Sequence, residues 1–147
     1  MSRIWTVLRV ALGLLFVLAS LDKIAHPALF AHAVANYQIL PPALVNPAAI
    51  LLPWIEAVAG LALVCGVFVR GAALISAGLM VVFCAAIAAN LARGIDVACG
   101  CFTVDPLAAP AMRADMLRDA AILLLALAVL WRALRPGREA PALNRRP

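Results

Sequence analysis

The chain has 147 residues, of which 67% are hydrophobic and 13% are charged, and its formal net charge is +5. A soluble domain of this length needs a polar exterior, so this composition excludes one and indicates an integral membrane protein in a lipid bilayer. The basic residues are mostly arginines near the ends of apolar runs, where they anchor helices and set orientation, so nucleic acid is not an expected partner.

The first apolar run covers residues 4–25 and predicts a membrane helix. Arg9 lies near one end of this run, where a long side chain reaches the headgroups. A cleaved secretory signal peptide is the competing interpretation, with residues 31–33 (AHA) as the cleavage site. That site lies well beyond the apolar run, and Asp22 and Lys23 intervene, so we favour a retained membrane span.

A short and broken segment follows the first run. His26-Pro27 ends the first helix, and Pro27 is well placed to begin a short helix that reaches Tyr37. Pro41-Pro42 then ends this segment. Because it is too short to cross a bilayer, we predict an interfacial helix that lies on the membrane.

Two further runs, residues 47–69 and 71–92, predict the second and third membrane helices, with a tight turn at Arg70-Gly71 between them. The third run carries no charged residue, and its length matches the roughly 20 residues that span hydrocarbon. Small residues recur at helical spacing, which predicts close helix packing through the pairs Ala72/Ser76, Ala73/Ala77 and Ala85/Ala89.

A polar loop, residues 93–112, separates the third run from the last one, residues 113–134. The remaining residues, 135–147, are rich in proline and arginine and predict a disordered tail. The fold prediction is therefore all-α: residues 1–134 form one four-helix transmembrane bundle, with a short interfacial helix between spans 1 and 2.

Charge indicates how the bundle is oriented. Four spans place both termini on one side, which carries eight lysines or arginines and a single acid, Glu139. The other side carries four basic and six acidic residues. Because basic loops stay in the cytoplasm, we predict a bacterial inner-membrane protein with both termini cytoplasmic and the polar loop in the periplasm. Disulfides persist in that compartment.

The polar loop contains two thiols, Cys99 and Cys101, with one glycine between them. A disulfide between them closes a small strained ring, and Gly100 supplies the backbone freedom that closure needs. Strain makes such a bond easy to reduce, whereas so short a ring restrains little of the unfolded chain. We therefore favour a catalytic redox pair over an unreactive pair. Two thiolates alone supply too few ligands for a zinc site, although they can hold copper(I). We therefore predict no resident metal.

The other two cysteines lie within the apolar runs. Cys65 is close to the inner end of its run, and Cys84 is past the middle of the next run. Their depths differ by roughly 13 Å at 1.5 Å per residue, so they are not expected to form a disulfide. Both are expected to pack as small hydrophobic residues.

Polar residues recur near the outer ends of all four runs and are expected to meet beneath the thiol loop. The predicted supporting cluster comprises Asp22, Lys23, Glu56, Asn90 and Arg93, with Arg118 and Asp119 at the same level. One interpretation is structural: Lys23 pairs with Glu56, and Arg118 pairs with an acid. The other is a pocket in which a cation lowers a thiol pKa and a carboxylate relays protons.

Four segments together resemble one family in their order and spacing. They are residues 16–27 (FVLASLDKIAHP), 37–41 (YQILP), 53–60 (PWIEAVAG) and 99–102 (CGCF). In these segments the chain resembles the MauE family of the DoxX-like membrane proteins over about residues 4–134. The resemblance implies a four-helix membrane bundle and points to Lys23, Glu56 and the Cys-Gly-Cys loop.

The resemblance also implies partners. MauE is associated with disulfide formation in a periplasmic dehydrogenase, alongside a thioredoxin-like protein, and DoxX-like relatives serve quinone-linked redox complexes. The first hypothesis is thus a quinone-linked thiol–disulfide oxidoreductase that exchanges disulfides with a thioredoxin-like partner, with a quinone as its cofactor. The second is a non-catalytic anchor or assembly subunit for a periplasmic redox enzyme. A third is a protein that handles a small solute or a metal.

Overall fold

The computed structural model describes residues 3–95 and 112–135 of the chain. These residues form five α-helices and no strand, so the all-α prediction is confirmed. The helices are α1 (Arg3–Ala25), α2 (Pro27–Asn36), α3 (Pro42–Cys65), α4 (Val69–Ala92) and α5 (Met112–Leu134).

Three of these helices, α1, α3 and α4, are long and apolar enough to cross a membrane. Helix α5 is of similar length but carries charges in its first turns and at Arg132, so the count of four spans stays a prediction. Large apolar side chains point outward along the bundle, for example Leu18 (64% exposed), Val58 (65%) and Leu124 (69%). An apolar exterior of this extent suits lipid contact, and the protein is a multi-pass membrane protein.

Helices α1 and α3 form the closest contact of the bundle, and glycines make it possible. A Cβ atom added at Gly13 would lie 2.7 Å from the carbonyl oxygen of Gly60, and one added at Gly60 would lie 2.7 Å from that of Gly13. The two backbones therefore touch where neither residue has a side chain, as in membrane helices that pack through small residues.

Helices α4 and α5 form the second pair and complete the core. The residues of the main core are Leu12, Phe16, Leu63, Ala72, Ala73, Ala77, Met80, Ile122, Ala126 and Val129. The predicted packing through small residues is right for the first half of α4, where Ala73 and Ser76 are fully buried. It is wrong for Ala85 and Ala89, which are exposed because the buried side of α4 there passes through Cys84, Ile87 and Asn90.

The connection between α3 and α4 differs from the predicted turn. Helix α3 ends at Cys65, because Gly66 adopts a left-handed conformation (φ +76°) that closes the helix. Phe68 is also left-handed (φ +49°), and α4 begins at Val69, so Arg70 and Gly71 lie in the first turn of α4.

Helix α3 also begins earlier than the apolar run suggested. It starts at Pro42, which suits a first helical turn because a proline there lacks only an N–H that has no partner in the helix. Pro47 and Pro53 lie inside the helix. Helix α2 precedes it and packs on α3 through Phe30 and Ala49, so the short helix expected between the first two spans is present.

Candidate functional site

The thiols Cys99 and Cys101 lie outside the described residues, but both described ends of their loop can be located. The Ile95 N–H donates a hydrogen bond to the Asn90 carbonyl (3.0 Å), at the end of α4. Met112, the first residue of α5, is fully buried and packs with Ile87. The loop therefore leaves and re-enters the bundle at the end where the predicted polar cluster is found.

Lys23 and Glu56 form an ion pair inside the bundle. The Lys23 ammonium donates to both carboxylate oxygens of Glu56, at 2.9 Å to Oε1 and 2.8 Å to Oε2. The side chains are only 1% and 2% exposed. This pair is the helix-to-helix contact expected from the sequence, and it joins α1 to α3. In so apolar a setting a charge-assisted, two-point contact is what makes burial of both charges tolerable.

Two aromatic rings enclose the ammonium group. The Lys23 Nζ atom lies 5.2 Å from the ring centre of Phe30 and 5.1 Å from that of Phe83, within the range of cation–π attraction. Helices α1, α2, α3 and α4 thus each supply one side chain to the same buried site. Neither ring was predicted from the sequence as a partner of Lys23, because neither belongs to a motif that would have revealed it.

Arg93 and Asn90 connect the end of α4 to the segment between α2 and α3. The Arg93 Nη2 atom donates to the Tyr37 carbonyl oxygen (2.9 Å) and to the Asn90 side-chain oxygen. Asn90 is fully buried, and its Nδ2 atom has no hydrogen-bond partner among residues 3–95 and 112–135. Burial, and then the negative charges of Asp119 and Asp115, raise the pKa of Tyr37, so this phenol keeps its proton near neutrality.

Helix α5 contributes the carboxylate of Asp119, which the sequence placed at the level of the cluster but not among its five supporting residues. Asp119 is fully buried, and the Arg118 Nε atom donates to its Oδ1 atom at 3.0 Å. Arg118 also pairs with Asp115 (2.9 Å), as one acid partner for Arg118 was expected. Asp119 lies near enough to Lys23 for the two charges to attract each other. The available signal was the charged start of α5, where Asp119 follows Asp115 and Arg118 at the level of the predicted cluster.

Asp22 lies at the edge of this cluster. Its side chain is 34% exposed and faces the His26 Nδ1 atom at 3.4 Å, one helical turn away. Of the five predicted supporting residues, the structure thus buries Lys23, Glu56 and Asn90, and it leaves Asp22 and Arg93 near the surface.

The remaining cysteines are separate from this site. Cys84 is buried, as expected for a small packing residue, whereas Cys65 is exposed, so its predicted packing is wrong; the two cysteines are not joined by a disulfide. Across the described ranges no group of three or more histidine, cysteine or acidic residues is arranged to hold a metal ion. The chemistry available to these residues is therefore charge stabilisation and hydrogen bonding beneath the ends of the thiol loop.

Comparison with known proteins agrees with the pattern of segments in the sequence. The family profile described as "Methylamine utilisation protein MauE" matches residues 1–132. A protein named methylamine utilization protein MauE from Paracoccus denitrificans is 38% identical over 123 residues, covering 83% of this chain and 66% of that protein. One of the same name from Methylorubrum extorquens is 38% identical over 98 residues, covering 66% of this chain and 53% of that protein.

A third, from Methylophilus methylotrophus, is 39% identical over 90 residues, covering 60% of this chain and 47% of that protein. The chain thus spans about half to two thirds of the length of these relatives. No solved structure matches the chain. Because the profile matches nearly the whole bundle, including Lys23, Glu56 and the thiol loop, the chain belongs to the MauE family.

Proposed function

We propose that the protein is the membrane component of a periplasmic thiol–disulfide exchange system. Cys99 and Cys101 are the reactive pair, and the partner is a periplasmic thioredoxin-like protein or redox enzyme. The relatives are named for methylamine utilisation, so an enzyme of that process is the first partner to test. In this proposal the loop faces the periplasm from the inner membrane, with both chain termini in the cytoplasm.

The observation that carries the proposal is the buried Lys23–Glu56 pair beneath the ends of the thiol loop. Charged side chains inside a membrane bundle cost free energy, so a bundle that only spans the membrane is expected to carry few of them. Intramembrane ionisable groups usually accompany a task, and here Asn90, Arg93 and Asp119 lie at the same end. Cationic groups near a thiol favour its reactive thiolate form.

The exchange step proposed for the loop is a two-electron transfer between sulfur pairs. A thiolate of the reduced partner attacks the Cys99–Cys101 disulfide, forming a mixed disulfide and releasing one loop thiolate, which takes up a proton. The second partner thiolate then attacks the mixed disulfide and releases the other loop thiol. The partner gains a disulfide, and the loop gains two electrons and two protons. Restoring the loop disulfide requires a two-electron acceptor, and a membrane quinone, when bound, would supply that chemistry by taking up the two electrons and two protons and leaving as a quinol.

Cys99→Ser and Cys101→Ser, made singly, test this step. Each single variant should still insert in the membrane, and one of them should accumulate a mixed disulfide because the resolving thiol is missing. Non-reducing electrophoresis followed by mass spectrometry identifies the trapped partner. A matched Cys65→Ser variant should trap nothing and behave like the parent. Failure of both single variants to trap a partner, with normal partner oxidation in the double variant, contradicts the proposal.

A second candidate is a non-catalytic anchor that docks a periplasmic redox enzyme. It is favoured by the Lys23–Glu56 pair, in which each charge satisfies the other and α1 is held to α3. Under this alternative, the Cys99→Ser/Cys101→Ser protein still recruits its partner to the membrane and still supports that enzyme's activity. Co-purification of the partner with the double variant, measured together with activity, separates the two candidates.

A further inference from the structure

The end of the bundle opposite the Lys23–Glu56 site carries a concentrated positive charge. Helices α1 and α4 begin there, and α3 and α5 end there. We call this the arginine face, and it comprises Arg3, Arg9, Arg70, Arg132 and Arg135. The four acidic residues of the described ranges lie elsewhere: Asp22, Asp115 and Asp119 at the other end, and Glu56 with Lys23.

Several arginines of this face make contacts with neutral groups of the described residues. The Arg70 Nε atom donates to the Ala133 carbonyl oxygen (3.0 Å), so α4 is tied to α5 by a neutral acceptor. Arg132 lies 5.8 Å from the ring centre of Trp5, and Arg135 lies 3.4 Å from that of Trp131. Among the described residues, none of the five arginines of this face forms an ion pair.

Arg9 is partly buried, whereas Arg3, Arg70 and Arg135 are exposed. The Arg9 guanidinium group packs on the turn after α3, where any side chain at Gly66 would overlap with it. Its Nε atom is buried and lacks a hydrogen-bond acceptor within the described ranges. The sequence beyond Arg135 adds one acid, Glu139, and three more arginines, so that segment adds net positive charge. A partly buried guanidinium with no counterion among the described residues is costly, which favours an external anion beside Arg9.

An apolar groove opens beside the same turn. It lies between α3 and α4, has a volume of about 610 Å³, and is lined by apolar residues that include Phe68, Ile75, Val58 and Leu51. Phe68 lies two residues after Gly66, against which Arg9 packs. Along α3 the lining extends from Ala62 to Leu51, which is about 16 Å at 1.5 Å per residue. Half of a bilayer's hydrocarbon layer is about 15 Å thick.

From these observations we infer that the arginine face binds an anionic phospholipid, whose phosphate meets Arg9 and whose acyl chain lies in the groove between α3 and α4. Guanidinium groups carry the opposite charge to phosphate, and their N–H donors fit the geometry of the phosphate oxygens. Basic pockets at the ends of membrane helices are suited to anionic headgroups. This site is distinct from the thiol loop and does not depend on the function proposed for it.

Native mass spectrometry of the detergent-purified full chain tests the headgroup assignment. We expect phosphatidylglycerol to be retained in preference to phosphatidylcholine with the same acyl chains. Arg9→Gln should weaken phosphatidylglycerol binding about fivefold, the effect of removing one basic residue near an anionic lipid. Arg113→Gln is the matched control, because it removes the same charge from an exposed position at the other end. Equal retention of both lipids, or equal effects of the two variants, overturns the inference.

Two glycine variants test the acyl chain independently. Gly71 lines the groove and Gly78 does not, and a Cβ atom added at either meets nothing within 4 Å. Gly71→Leu should therefore fill the groove and lower lipid retention severalfold, whereas Gly78→Leu should leave it unchanged. Equal retention by both variants overturns the groove assignment, and this pair decides the matter if Arg9→Gln does not fold.

Displacement of the lipid by excess inorganic phosphate indicates a free-anion site and overturns the lipid assignment. Retention of the lipid under the same conditions supports it.

Discussion

A lysine and a glutamate buried together among apolar helices are tolerable only as a pair. Lys23 is stabilised mainly by Glu56, at 2.8 and 2.9 Å, and also by the rings of Phe30 and Phe83 and by the charge of Asp119. Breaking a buried pair on one side leaves a charge that neither water nor a partner stabilises. At the scale of single residues, this site is therefore where substitution should cost most.

Glu56→Gln should lower the free energy of unfolding by about 3 kcal/mol, because it leaves the Lys23 ammonium buried without a carboxylate. Denaturant or thermal unfolding of the detergent-solubilised protein measures the loss. Arg113→Gln, which alters an exposed residue, should change stability by less than about 0.5 kcal/mol. A Glu56→Gln protein as stable as the parent would show that the pair contributes nothing to the fold.

Replacing both charges separates the structural role of the pair from its proposed chemical role. Lys23→Met/Glu56→Leu should recover most of the stability lost in Glu56→Gln, because apolar residues of similar volume often substitute well for a buried pair. If the pair serves the thiols as proposed, this double variant should exchange disulfides with its partner more slowly than the parent protein does, even though it is stable. Exchange at the parental rate would leave the pair with a purely structural role.

At the scale of elements, the bundle is built from two helix pairs, α1 with α3 and α4 with α5. The first pair depends on Gly13 and Gly60, whose backbones meet with no space for a Cβ atom. The second pair buries alanines of α4 against apolar residues of α5. Since lipid tails are as apolar as leucine, such close approach and the Lys23–Glu56 contact together hold the first pair.

Gly60→Ala should destabilise the protein by about 2 kcal/mol, since the new methyl group would overlap the Gly13 carbonyl oxygen and the backbone must shift to admit it. Gly78→Ala is the matched control, on an exposed position with open space, and should not lower stability. Melting temperatures in one detergent give the comparison. Equal melting temperatures for the two variants would rule out a tight α1–α3 contact.

At the scale of the whole molecule, charge is divided between the two ends of the bundle. The arginine face carries five described arginines and no described acid, whereas Asp22, Asp115 and Asp119 lie at the end where the thiol loop begins and ends. A basic end is retained in the cytoplasm during insertion. The proposed periplasmic position of the thiols follows from this division, together with four membrane crossings.

Single-cysteine variants test the orientation. In a chain whose only thiol is Cys99, a membrane-impermeant maleimide should label intact spheroplasts. In a cysteine-free chain with Arg135→Cys, at the opposite end, labelling should require permeabilisation. Gel-shift or fluorescence detection after purification reads out both variants. The reverse pattern would place the thiols in the cytoplasm and remove the basis for periplasmic exchange, while labelling of both in intact spheroplasts would exclude four crossings.

The helices were largely predictable because the apolar runs are long and carry most of their charges near their ends. The ends of α1, α4 and α5, at Ala25, Ala92 and Leu134, coincide with the ends of such runs. The start of α3 at Pro42 was not foreseen, since prolines and Asn46 interrupt the apolar pattern there without interrupting the helix. The turn after Cys65 was also misplaced, because Gly66 and Phe68 rather than Arg70 adopt the left-handed backbone.

By itself the sequence determined that this is a helical membrane protein, that its charge is divided between two ends, and that Lys23 needs an acid such as Glu56. These properties follow from local hydropathy and from the cost of an unpaired charge in an apolar layer. Only the tertiary structure decided which groups share the site: Phe30, Phe83 and Asp119 come from three other helices. Their convergence depends on how the helices rotate and cross, which the close contact of Gly13 with Gly60 helps to set.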